Sequence, residues 1–284
     1  MKISLSLSGG GIKGIAHIGA IKALEEENIK VDYVSGTSSG SIVATLYACG
    51  YNADEMHEIF NKYAKDFHYI DFENIKKFFK NIFTGKGIVI DGLNSGTKIS
   101  KLINEVCSKK GIYNINQIKK PLIIPAVNIE TEELYVFSNC NFKNKTENVK
   151  YINDINIGNA VQASCSFPGV FSPCNYNGKL LVDGGIAENI PWRETKNAGA
   201  DKVISIVFKD KYQKNVCKNI IQIANHSISV ICKELAKYEW DGSDYLLTIE
   251  TEGVGLLEKK KMQELYYEGY RQTKEYLKNI KIDK

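Results

Sequence analysis

The 284-residue sequence predicts an α/β fold, a three-layer α/β/α arrangement with a mostly parallel central sheet. Three observations predict it. Apolar runs of strand length alternate with longer helical stretches along the chain, the pattern of strands joined by crossover helices. Two early strands end in glycine-rich turns that open directly into helices, one at 9–14 and one at 36–40. A later strand, Lys179-Leu180-Leu181-Val182, ends in Asp183-Gly184-Gly185. No repeat, low-complexity tract or linker interrupts the alternation, so residues 1–284 are expected to form one domain, with 209–284 as its C-terminal helices and strand.

Taken in order, Ile3, Leu5 and Leu7 alternate with serines and read as a first strand, followed by a helix with Ile15, Ile18, Ile21 and Leu24 on one stripe. Tyr33-Val34 lead into the second turn, and a helix is expected from about 41 to 49, ending at Gly50. Asn52 and Glu55 form a capping box for a helix carrying Met56, Ile59, Phe60 and Tyr63. Residues 67–83 interleave phenylalanines with lysines, which reads as a core-packing helix with a basic face, the alternative being a lid or a surface that touches lipid. A helix over 96–109, buried strands over 121–127 and 133–137, and a polar loop over 139–150 follow. Further helices are expected at 157–165, at 189–199 with Pro191 in the first turn, at 216–238 and at 258–279, with strands at 202–208 and 245–249.

Composition narrows the function. Hydrophobic residues at 43% and charged residues at 25% are ordinary for a globular protein, and no stretch approaches the ~20 apolar residues of a membrane span. A net charge of +4, spread over many lysines, is too weak for a nucleic-acid partner but does not repel an anionic membrane surface, so membrane contact is expected to be peripheral. The seven cysteines never form a C-x-x-C pair and read as reduced thiols, and the N-terminus lacks the apolar core of a signal peptide. A cytoplasmic location is expected, with no metal and no cofactor.

The chemistry centres on Gly36-Thr37-Ser38-Ser39-Gly40, a G-x-S-x-G turn between strand and helix. Such a turn exposes the serine hydroxyl, and the positive end of the following helix favours developing negative charge beside it. Gly9-Gly10-Gly11-Ile12-Lys13-Gly14 is a second anion cradle, whose backbone N–H groups, those of Gly10 and Gly11 first, suit an oxyanion. The same residues spell G-x-G-x-x-G, a dinucleotide fingerprint, but the acid that motif requires is missing from the end of the second strand, Asp32 falling at its start.

A serine needs a base. Of the four histidines only His226 keeps the order serine, aspartate, histidine, and it lies inside an apolar helix rather than on a loop; His17, His57 and His68 have no turn to present them. Asp183 is therefore favoured as the base. A free aspartate, with a pKa of about 3.9, is weak at neutral pH, and burial at the sheet edge strengthens it. A Ser38–Asp183–His226 triad, a dinucleotide-binding protein and a non-catalytic lipid-binding protein are the competing readings.

The blocks at 9–14, 36–40 and 183–185 resemble, in order and spacing, the signature blocks of the patatin-like phospholipases, and Ala163-Ser164, Phe167-Pro168 and Asn189-Ile190-Pro191 look like further landmarks of that family. The resemblance covers roughly residues 1–208. It implies a Ser38–Asp183 dyad, an oxyanion hole at the glycine loop, hydrolysis of lipid acyl esters through an acyl-enzyme, a lipid or phospholipid substrate and no metal. Lys13 stands where the family often has arginine, without arginine's forked donor geometry.

Overall fold

A computed structural model describes residues 1–63, 95–210, 220–251, 261–280 and 282. The stretch at 67–83, His68 and Cys217 lie outside the described residues. The strands are β1 (Ile3–Leu7), β2 (Tyr33–Gly36), β3 (Leu122–Asn128), β4 (Leu134–Ser138), β5 (Val149–Ile152), β6 (Cys174–Tyr176), β7 (Lys179–Asp183), β8 (Lys202–Asp210) and β9 (Tyr245–Thr251). The described helices are α1 (Gly14–Glu26), α2 (Ser39–Ala48), α3 (Ala53–Tyr63), α4 (Thr97–Ser108), α5 (Ile157–Ser164), α6 (Trp192–Ala198), α7 (Ile220–Glu239) and α8 (Met262–Asn279). None of them is long and apolar enough to cross a membrane.

The sheet runs β5-β4-β3-β2-β1-β8-β9, with β7 joined to β3 and β6 to β7. The centre is parallel: β1 pairs with β2 and β8, β2 with β3, and β8 with β9. Its middle strand, β1, alternates isoleucine and leucine with serine, yet all five residues are buried. Neighbouring strands flank it on both edges, and Ser6 Oγ bonds Ser35 Oγ of β2 at 2.8 Å, so that pair of small polar side chains satisfies itself inside the protein. The stripe expected on α1 widens to nearly the whole helix for a related reason, because α8 packs along its outer side. The capping box at the start of α3 forms as predicted, with Glu55 N–H donating to Asn52 Oδ1 and Asn52 N–H to Glu55 Oε2, both at 2.9 Å.

Three expectations change. Residues 139–150 do not form a loop throughout, since β5 begins at Val149 and adds to the sheet beside β4; β6 is likewise a strand the sequence did not announce. Both are short and outward, and neither carries an apolar alternation. Pro191 does not enter α6 but caps it: Trp192 N–H donates to the Ile190 carbonyl at 2.8 Å, bending the chain just before the helix starts.

The third concerns β7, which departs from the mostly parallel arrangement expected of the sheet. It is antiparallel to β3. One edge of β3 is taken by β4 over residues 123–127, so β2, facing Leu122 and Ile123, and β7, facing Ala126 to Asn128, must share the other edge. They run toward each other along it and stop short of meeting. Pro125 falls in the gap: Pro121 O accepts Val34 N–H and Ile129 N–H donates to Leu180 O, so strand alternation turns residue 125 to this same edge, where its missing N–H leaves no bond unmade. The gap between two head-on strands is where the candidate site residues collect.

Candidate active site

β2 ends in the serine turn. Ser38 caps α2 with φ 53° and ψ −125°, a conformation strained for a non-glycine residue. The turn is tight because its glycines touch backbone. A β-carbon on Gly36 would lie 2.3 Å from the Gly40 carbonyl oxygen, and one on Gly40 2.3 Å from that of Leu7. The strain is held by Ser41, whose N–H and Oγ donate to the Ser38 carbonyl at 2.9 and 2.6 Å, and by Ser164 Oγ, which accepts the Ser38 N–H at 3.1 Å. Thr37 is buried and its Oγ1 donates to the Glu188 carbonyl at 3.0 Å. Ser39 packs beside Gly14, bringing the glycine loop against the turn.

β7 delivers Asp183 from the opposite direction, opposite Ala126. The Asp183 N–H donates to the Ser166 carbonyl at 3.0 Å, and its Oδ1 accepts the Gly185 N–H at 2.8 Å, so a 3₁₀ turn over Gly184–Ile186 fixes both chain and carboxyl group. Among the described residues Oδ2 has no hydrogen-bond partner of full geometry. Burial pushes the carboxyl up to about 7; the Ser38 hydroxyl and the Gly185 N–H hold it back from rising further. The aspartate thus titrates near neutrality beside the serine.

The glycine loop closes the third side. Gly9 approaches Ser38 so closely that a β-carbon on it would sit 3.1 Å from Ser38 Cβ. The Gly9 N–H donates to Asn189 Oδ1 at 2.9 Å, so it is committed, and the amides of Gly10 and Gly11 follow it in the loop. Gly11 has φ 61° and opens a 3₁₀ turn over Gly11–Lys13 that continues into α1, which places Ile12 and Gly14 in the helical entry; Lys13 is buried. Beneath the loop His17 Nε2–H donates to the Ser8 carbonyl at 2.8 Å, and the ring lies 4.5 Å from that of Phe208. Burial lowers the His17 pKa to about 4, which keeps it neutral as a support.

The other histidines take different places. His57 is stacked on Tyr266 at 3.9 Å and bonds Gln263, joining α3 to α8. His226 is half-buried on α7, and no hydrogen bond joins it to Ser38 or Asp183 among the described residues. Asp32 accepts the Ile3 N–H at 3.0 Å, at the end of the sheet away from the glycine loop. Sequence reasoning named Ser164 and Asn189 only as landmarks, without roles, and missed Glu188 and Glu239 entirely. Glu239, the last residue of α7, accepts N–H bonds from Asn189 and Ile190, and only the position of an acid at a helix end hinted at it.

Comparison with known proteins places this geometry. A model of the family described as patatin-like phospholipase matches residues 5–196, a span holding all three blocks. The chain is similar to the lysophospholipase NTE1 of Meyerozyma guilliermondii, 30% identical over 205 residues, covering 72% of this chain and 12% of that protein. It is 27% identical over 206 residues to the lysophospholipase NTE1 of Saccharomyces cerevisiae, 72% of this chain and 10% of that protein. The chain therefore spans about a tenth of the length of these relatives. Among solved structures, VipD from Legionella pneumophila superposes with a TM-score of 0.56 at 19% identity, over 98% of this chain and 67% of that one. ExoU from Pseudomonas aeruginosa, in complex with SpcU, gives 0.52 at 16%, over 98% and 52%. The structural likeness carries the fold, the matched span carries the blocks, and on that ground the chain belongs to the patatin-like phospholipase family.

Proposed function

We propose that this protein hydrolyses acyl esters of phospholipids or lysophospholipids with Ser38 as nucleophile and Asp183 as base. The observation that carries the reading is a buried carboxyl group with a pKa of about 7 beside a serine held in a strained, glycine-walled turn. As Ser38 Oγ attacks the ester carbonyl carbon, Asp183 takes its proton, and the carbonyl π electrons move to oxygen. The Gly10 and Gly11 amides and the helix end behind them stabilise that oxyanion. Collapse of the intermediate expels the alcohol, which leaves with the proton from Asp183, and the acyl group stays on Ser38. Water then adds by the same route, releasing the fatty acid and restoring the serine.

Ser38→Ala is expected to abolish release of fatty acid from lysophosphatidylcholine while leaving the circular dichroism spectrum unchanged, and a fluorophosphonate is expected to label Ser38 alone. Hydrolysis retained by the folded Ser38→Ala protein refutes the reading.

A further inference from the structure

We propose that Glu239 is a positioning residue for this reaction: its carboxylate fixes the backbone at Asn189 and Ile190 so that Asn189 holds Gly9, and with it the glycine loop, against Ser38. The inference rests on the reading of Ser38 and the glycine loop given above. Glu239 lies outside the span that matches the family, on the far end of α7, which packs on the turn at 184–186.

Glu239 is buried, and its carboxylate accepts from Asn189 N–H at 3.2 and 3.1 Å and from Ile190 N–H at 2.9 Å. A buried carboxylate is costly unless bonded, and charge-assisted bonds to backbone N–H groups are among the stronger ones available. Among the described residues the Glu239 carboxylate is the acceptor for both amides, so without the glutamate they lose that partner. The bend matters because of what it holds. Asn189 Oδ1 accepts the Gly9 N–H at 2.9 Å, and a β-carbon on Gly9 would lie 2.8 Å from that oxygen and 3.1 Å from Ser38 Cβ. One residue earlier, the Glu188 carbonyl accepts from Thr37, the residue before the nucleophile. A shift at 188–190 therefore moves both neighbours of Ser38 together. Displacements of about 1 Å at such a site cost up to roughly a hundredfold in rate.

The experiment combines turnover of p-nitrophenyl butyrate with amide hydrogen exchange across residues 8–14, for wild type, Glu239→Ala, Glu239→Gln, Asn189→Ala and the Glu239→Ala/Asn189→Ala double variant. Glu239→Ala is expected to lower kcat about tenfold, KM staying within about twofold, and to speed exchange of the glycine loop. Glutamine keeps an acceptor oxygen and is expected to restore most of both. Because part of the effect passes through Asn189, the double variant is expected to lose less than the product of the two single losses. Wild-type kcat and exchange in Glu239→Ala, or losses that multiply in the double variant, overturn the proposal. If wild type and Ser38→Ala hydrolyse the ester equally, the hydrolase reading falls by itself, and the exchange rates alone decide whether Glu239 sets the loop.

Discussion

As the proposed base, Asp183 would gain its reactivity at the expense of stability. Its carboxyl group is raised by burial to about 7, so at neutral pH roughly half of the folded molecules must hold a charge where water does not reach. The base works only when ionised, so kcat/KM is expected to rise with pH through about 7; a profile flat from pH 5.5 to 8.5 refutes that role. The linked stability runs the other way. A carboxyl whose folded pKa exceeds its unfolded value contributes stability that is complete below the unfolded value and lost as pH rises through the folded one. Asp183→Asn is therefore expected to be inactive yet to melt higher than wild type at pH 8, and to melt within a few degrees of it at pH 4. Both Ser38 and Asp183 stood out in the sequence as candidates because glycines flank Ser38 on either side and follow Asp183 directly, and glycine at those offsets has a steric reason. Glu239 was not legible: its partners are backbone amides 49 and 50 residues away, which no side-chain pattern reports.

At the level of elements, α1 connects the site to the rest of the protein, since the glycine loop is its entry and α8 its outer wall. The two helices cross at backbone contact. A β-carbon on Gly19 would lie 2.0 Å from the Tyr266 carbonyl oxygen, and one on Gly269 2.0 Å from that of Ala16. Neither backbone can yield as a side chain would. Gly19→Ala is expected to cost about 3 kcal/mol of stability in urea denaturation, and to lower activity because α1 must move with its loop. Strand identity was legible wherever apolar runs were long, as in β3 and β8, but strand direction was not. Four or five residues of β7 read the same in either orientation, and only pairing with β3 decides. The β5 and β6 edges were too short and too polar to announce themselves.

Across the whole molecule, Asp183 lies with Glu188, Glu194 and Glu239 among the buried carboxyl groups near the bend at 183–190. Glu239 is pushed up to about 7 by burial, against the pull of the Ile190 and Asn189 amides and Arg193; Glu188 is held well above the ordinary range by burial and by Glu194 and Glu239. Each of these raised carboxyl groups withdraws stability as pH rises through its folded value, Asp183 and Glu239 near neutrality, while His17, lowered to about 4, loses it in the other direction, as pH falls from about 6.5. The raised carboxyl groups outnumber the one histidine, so the midpoint of thermal unfolding is expected to be lower at pH 8 than at pH 5, and Glu188→Gln to flatten that fall; a midpoint higher at pH 8 contradicts it. The head-on strands add a consequence of a different kind. β2 last faces β3 at Ile123 and β7 arrives at Ala126, so one strand serves as the gauge on which the proposed nucleophile and base are mounted. At about 3.3 Å per residue the three steps between them span roughly 10 Å, and that length is counted in whole residues. Side-chain changes along β3 leave the count untouched, whereas a single insertion or deletion between those positions resets the spacing by a full step and parts Ser38 from Asp183.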